Sequence, residues 1–208
     1  MATSKTAKTA TRRAEQFGSE YYRRFYLTPA TRAMSRTETQ LRGKLIAAAV
    51  KQLDLPVRRI LDAGCGLGWF RKSLLQAFPR ATYLGVEFSE YLCAKHGWTQ
   101  GSVVDYRNRS PFDLVVCCDV LQYLDDRAAA RAIANLARLS RGAVYLHVPT
   151  EEDFRDRMDP SGTDQNVHLR SGAWYRRHLA KHFVHAGFGL LVKREVPFAQ
   201  WELEQTFC

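Results

Sequence analysis

Leu61-Asp62-Ala63-Gly64-Cys65-Gly66-Leu67-Gly68, entered from Arg59-Ile60 and followed by Trp69-Phe70, decides the fold of this chain. A short apolar run that ends in an acid and three alternate glycines predicts a buried strand turning sharply into a helix. Glycine lets the backbone take positive φ and lets a ligand lie against the main chain with no Cβ in the way. The helix that follows offers free N–H groups and a positive dipole end to a carboxylate or phosphate. The stretch predicts a nucleotide-like ligand.

Working outward, short apolar segments alternate with helical ones. Strands are predicted over residues 59–62, 82–87, 98–101, 112–118 and 143–148, with helices near 69–77, 89–95 and 126–139. That alternation predicts parallel βαβ units and a sheet covered on both faces. Residues 149–172 interrupt it with a polar, charged insertion broken by Pro160, Gly162 and Gly172. A helix over 173–185, closed by Gly187, then precedes strands at 190–195 and 201–207. Their linker, 196–200, is short enough for a hairpin, which makes the last strand antiparallel. The expected architecture is a doubly wound α/β fold, Rossmann-like, with a mostly parallel seven-stranded sheet.

Ahead of the first strand, residues 15–26 carry the aromatic cluster Phe17, Tyr21, Tyr22, Phe25 and Tyr26. Thr28-Pro29 breaks it, and a helix over 31–53 ends before Pro56. The chain divides into a basic tail (1–13), an N-terminal helical cap (14–56) and one main domain (57–208) holding the insertion. In the tail, Lys5, Lys8, Arg12 and Arg13 occur with no acid, a composition that buries no apolar surface and predicts disorder. It lacks the apolar core of a secretory signal, although an Arg-rich, acid-free start faintly resembles a transit peptide.

The 208 residues suffice for one sizeable core. A net charge of +10 permits nucleic acid or acidic partners without demanding them. No apolar run approaches a membrane span. Five cysteines, an odd number without paired CxxC units, argue for reduced thiols and a cytoplasmic location.

The glycine turn reads GxGxG, not the GxGxxG of dinucleotide folds, and no GK[ST] follows, which excludes a P-loop. The second strand ends in Glu87, placed beside the turn, where a carboxylate can accept both hydroxyls of a ribose. The fourth ends in Cys118-Asp119-Val120-Leu121-Gln122, another polar group on the rim where open α/β sheets bind ligands. Together the first motif, Glu87 and the stretch from Phe112 to Leu121 closely resemble the class I S-adenosylmethionine-dependent methyltransferase family.

The resemblance implies that Asp62 orients the turn, that Gly64, Cys65 and Gly66 lie along the methionine part of S-adenosylmethionine, and that Glu87 holds the ribose with Phe88 flanking the adenine. Many relatives have Gly-Asp after the third strand, with the Asp meeting the adenine amino group. Here it is Gly101-Ser102, so Ser102 with Val103, or Asp105, takes that contact. Asp119, Arg42 and Tyr22 complete the expected cofactor set, with Arg42 a natural partner for the cofactor's carboxylate.

The expected acceptor is a small molecule, methylated on oxygen or nitrogen and enclosed by residues 21–26 above and 147–175 at the side. Candidate contacts are Tyr26, Gln122, Tyr123, Arg170 and Trp174; His147 and His168 are candidate general bases. No metal is assigned, and the oligomeric state is left open. Two alternatives stand beside this reading. One is an RNA or protein methyltransferase, suggested by the charge, although no separate RNA-binding domain is evident. The other is a non-catalytic S-adenosylmethionine-binding regulator, whose mark would be a degraded first motif; this one is intact.

Overall fold

In the computed structural model, which describes residues 17–159 and 162–204, one sheet has the strand order β3-β2-β1-β4-β5-β7-β6. The strands are β1 (Arg59–Ala63), β2 (Thr82–Glu87), β3 (Thr99–Gln100), β4 (Phe112–Cys118), β5 (Ser140–His147), β6 (Phe183–His185) and β7 (Leu190–Lys193). β1 pairs in parallel with both β2 and β4. The chain therefore winds outward through β2 and β3 and returns past β1 to β4. Strand order reverses between β1 and β4, and ligands in doubly wound sheets bind at that switch point. The glycine turn and Asp119 both leave the sheet there.

Side chains of one strand alternate between two cores. Leu114 and Val116 face α2 (Arg36–Gln52) and α3 (Phe70–Ala77), packing with Ile46, Val50, Phe70 and Leu74. Val115 and Cys117 face the other way, onto Ile133 and Leu136 of α5 (Asp126–Leu139) and Tyr175 of α7 (Gly172–Leu179). Between them, α4 (Glu90–His96) follows β2, with Ser89 accepting from Leu92 N as its cap and Gly97 ending it at φ 69°.

Ahead of β1, α1 (Ser19–Tyr22) runs into a π-helical turn over Arg23–Leu27. α2 begins at Arg36, later than its apolar spacing predicts, because Ser35 and Glu38 close a capping box there. It covers the sheet as an integral layer. The insertion carries α6 (Glu151–Asp156), started by a capping box of Thr150 and Asp153.

The end of the chain departs from expectation. The helix predicted over 173–185 stops at Leu179, and Phe183-Val184-His185 forms a strand. β7 pairs antiparallel with both β5 and β6, so the hairpin falls one element earlier than predicted. Gly187, Phe188 and Gly189 all have positive φ, and a Cβ at Gly189 would sit 2.7 Å from the Leu146 carbonyl. Gly187 thus turns a hairpin and does not close a helix. Trp201 to Glu204 hold a 3₁₀ turn over Glu202–Glu204 where a strand was expected; residues 205–207 of that segment, and the basic tail, lie outside the described residues.

Candidate functional site

The glycine turn folds back on β2, with Gly64 N and Cys65 N both donating to Val86 O at 2.8 and 3.1 Å. At Gly64 (φ 80°) a Cβ would meet Val120 at 2.3 Å, so the position admits no side chain. Gly66 (φ 51°) is different: a Cβ there would meet nothing within 4 Å. The main chain at Gly66 faces open space beside a carboxylate, which is the surface a nucleoside needs.

That carboxylate is Glu87. Oε2 accepts from Gly66 N at 2.7 Å, and Oε1 accepts from Phe88 N and Ser89 N at 2.8 and 2.9 Å. Three backbone donors hold it rigid at the strand end and leave one of its roughly four lone-pair sites, on Oε2, for a ribose hydroxyl. The N-terminal segment covers it. Ser89 Oγ donates to Phe17 O at 2.6 Å, the Phe17 ring meets Phe88 and Tyr123 edge-on, and Tyr22 stacks on Tyr91. Tyr22 is buried against this end of β2.

Asp62 lies beneath the turn, fully buried, and accepts a short hydrogen bond from the Tyr83 hydroxyl. Burial pushes its carboxyl up to about 7, against the lowering effect of Tyr83. After β3, Ser102 Oγ accepts from Val104 N at 3.2 Å. Val103 turns its side chain into the core, leaving only its backbone for a ligand, and Asp105 points to solvent.

Beyond the turn, a cavity of about 280 Å³ opens over the ends of β4 and β5. Tyr21, Phe25 and Tyr26 roof it, and Phe154 and Arg157 of the insertion close one side. Asp119 and His147 leave adjacent strands: Asp119 N donates to His147 O at 2.9 Å, and His147 Nδ1 lies 2.8 Å from Asp119 Oδ1. Asp119 is held at φ 56°, a conformation few non-glycine residues adopt and one that concentrates at functional sites. Burial pushes its carboxyl up, but the His147 bond and the Arg42 charge bring it below the usual carboxylate range.

Arg42, from α2, reaches the same point and donates to Cys118 Sγ at 3.3 Å. Cys118, Asp119 and His147 bring three potential metal-ligand atoms within 4.8 Å of one another. Burial and the Asp119 charge keep the Cys118 thiol protonated, and a fixed guanidinium sits against its sulfur. The set therefore suits proton handling better than a cation.

Six of the residues singled out in the sequence meet at this cavity: Tyr26, Arg42, Asp119, Gln122, Tyr123 and His147. Three do not. The His168 side chain is exposed, while its backbone N donates to Gln122 O at 2.7 Å, so it braces a cavity residue and holds no base there. Arg170 is turned inward and bound to Asp126, to the carbonyls of Leu121, Leu124 and His168, and to the Tyr175 hydroxyl. It locks the insertion to the loop after β4. Trp174 stacks on His178 with the Arg170 guanidinium over its ring. Asp153 and Phe154, which also line the cavity, were missed. Tyr21 donates to or accepts from Tyr123 at 2.6 Å, a pairing 102 residues apart that no local pattern announces.

A doubly wound sheet with a glycine turn at its switch point, a braced carboxylate on the second strand and a polar cavity beyond them defines an α/β protein built for a nucleoside-bearing cofactor. Residues 61–143 match a family described as a methyltransferase domain. A trans-aconitate 2-methyltransferase of Deinococcus radiodurans is 32% identical over 133 residues, covering 59% of this chain and 50% of that protein. A ubiquinone biosynthesis O-methyltransferase of Hahella chejuensis is 31% identical over 109 residues, 46% of this chain and 44% of its own. The chain thus spans about half the length of these curated relatives. The magnesium protoporphyrin IX methyltransferase of Synechocystis, solved with S-adenosylmethionine bound, shares the fold at a TM-score of 0.60 and 19% identity, covering 88% of this chain and 96% of its own. Residues 61–143 thus match the methyltransferase domain family, on a fold shared with solved methyltransferases.

Proposed function

We propose that this protein transfers a methyl group from S-adenosylmethionine to a hydroxyl or amine of a small molecule held in the cavity under Tyr21, Phe25 and Tyr26. The carrying observation is the Asp119–His147 pair, 2.8 Å apart at the strand ends between the glycine turn and the cavity. The related trans-aconitate and ubiquinone-biosynthesis methyltransferases support a small-molecule acceptor.

Gly64 and Gly66 offer backbone against the amino-acid part of the cofactor, Glu87 takes a ribose hydroxyl, and Phe88 and Ser102 flank the base. Arg42, whose guanidinium donates to the neutral Cys118 thiol and not to a carboxylate, supplies a cation for the cofactor's carboxylate. Bound there, S-adenosylmethionine supplies an electrophilic methyl on a cationic sulfur. The protein's task is to hold the nucleophile in line with it and to exclude water. Asp119 accepts from His147 Nδ1, which leaves Nε2 free to take the acceptor's proton as the nucleophile attacks. The dyad is needed only for an acceptor that arrives protonated.

Among the described residues, Cys65, Cys93, Cys117 and Cys118 are unpaired thiols, which favours a reducing, cytoplasmic setting. Among them also, no helix is long and apolar enough to cross a membrane.

Chemical-shift mapping tests the reading. Adding S-adenosylhomocysteine to the isotope-labelled protein should move the amides of residues 64–68, Phe88 and Ser102, together with the His147 ring. Shifts confined to other surfaces, or none, would overturn it.

A further inference from the structure

We propose that the outer face of α5 is a docking surface for a nucleic-acid duplex, which it holds by the phosphates and not by the bases.

Arg127, Arg131 and Arg138 follow one another on α5 at helical spacing, which sets them in a single exposed row about 16 Å long. Arg107 joins the end of that row. Arg107 Nη1 and Arg138 Nη2 both donate to Asn135 Oδ1 at 2.8 Å. Asn135 itself is buried, and its Nδ2 donates to the carbonyls of Val103 and Tyr106 at 2.9 and 3.1 Å. The amide is therefore fixed with its oxygen toward the arginines, and it anchors two like charges on one neutral atom. Partial burial and the Arg107 charge both lower the Arg138 guanidinium from its ordinary value. An anion seated across the pair would relieve the repulsion.

No side chain of the protein supplies that anion. Among the described residues, none of these arginines makes an ion pair. The acids that open α5 are engaged elsewhere, Asp125 accepting from Ala128 N and Asp126 bound to Arg170. The occupant follows from what the face lacks. Guanidinium forks match phosphate oxygens. Between the arginines the face carries Ala130 and Ala134, so it offers no large apolar anchor for a protein partner or a membrane to bury. It offers no aromatic ring on which unpaired bases would stack. The regular phosphate row of a duplex remains, on a chain whose net charge is +10. None of these arginines lines the cavity, so the duplex is a ligand apart from the methyl acceptor.

Fluorescence anisotropy with a labelled DNA duplex of about 20 base pairs tests this. The wild type should bind it and lose about a hundredfold in affinity between about 50 and about 200 mM salt, as neutralising about four phosphates requires. Arg127→Gln/Arg131→Gln, which replaces two exposed side chains, should make the slope of log K against log salt shallower by about 2. Arg71→Gln/Lys72→Gln makes the same change of charge on α3, on the opposite layer of the sheet, and should leave the wild-type slope. Absence of duplex binding by the wild type, or an equal effect of the two variants, overturns the proposal. Tighter binding of phosphatidylserine vesicles or of polyglutamate than of the duplex also overturns it, by assigning the face to a membrane or to an acidic protein.

Discussion

His147 Nδ1 lies 2.8 Å from Asp119 Oδ1, and the two residues are also joined through their backbones, Asp119 N to His147 O at 2.9 Å. Parallel pairing of β4 with β5 puts Cys118 opposite His147, so the residue after Cys118 emerges directly beside the imidazole. Sheet register, and not a flexible loop, sets the geometry of the dyad. An acceptor-only carboxylate fixes the proton on Nδ1 and leaves Nε2 bare. Nitrogen NMR of the neutral His147 ring should therefore report the Nδ1–H tautomer in the wild type. In Asp119→Asn, whose amide can donate, the ring should shift toward the Nε2–H tautomer. An unchanged tautomer would remove the carboxylate from its positioning role.

Asp62 gives a pH prediction of unusual sign. Burial raises its carboxyl to about 7 in the folded protein. The native state then keeps a proton that the unfolded chain releases near its ordinary value of about 4. Stability from this group is fully present below that value, falls as pH rises, and levels off above about 7. Asp62→Asn keeps an oxygen for the Tyr83 hydroxyl and removes the titration. Its melting temperature should gain on the wild type as pH climbs from about 4 to about 7, the window between the two values; parallel profiles would contradict the buried-acid account.

Arg170→Met should destabilise the protein by about 3 kcal/mol, because three carbonyls and the Tyr175 hydroxyl lose a buried donor. Denaturant unfolding measures the loss. S-adenosylhomocysteine affinity, by contrast, should stay within about twofold; a selective fall in affinity with unchanged stability would return Arg170 to the binding site.

The N-terminal segment covers Glu87, so ligand entry requires it to move. Tyr21 is tied to Tyr123 by a 2.6 Å hydroxyl–hydroxyl bond. Tyr21→Phe loses that bond, worth about 1 kcal/mol, and keeps the ring. Stopped-flow association of S-adenosylhomocysteine should speed up by about fivefold if opening limits entry. An unchanged rate would mean that entry takes another route.

The glycine turn and the acid beside it, where the cofactor is proposed to lie, were legible because they are local. The turn at residues 64–68 and the acid ending β2 are set by short spans whose chemistry requires those residue types. The cavity proposed for the acceptor is assembled from the N-terminal segment, the loop after β4, the end of β5 and the insertion. Polar residues of the insertion look alike in sequence, and only folding separates Arg157, on the cavity, from Arg170, locked inside. The closing hairpin was misplaced for a similar reason. A glycine after a helical pattern reads as a stop, while its role at Gly187 follows from the approach of Gly189 to the Leu146 carbonyl.

The most direct test is calorimetric titration of S-adenosylhomocysteine into the wild type and Glu87→Ala. A single site is expected on the wild type and a loss of at least about a hundredfold in the variant, since the ribose loses its charged acceptor. The variant's fold should be intact by circular dichroism. Equal affinities, or no binding by the wild type, would contradict the placement of the cofactor on the glycine turn.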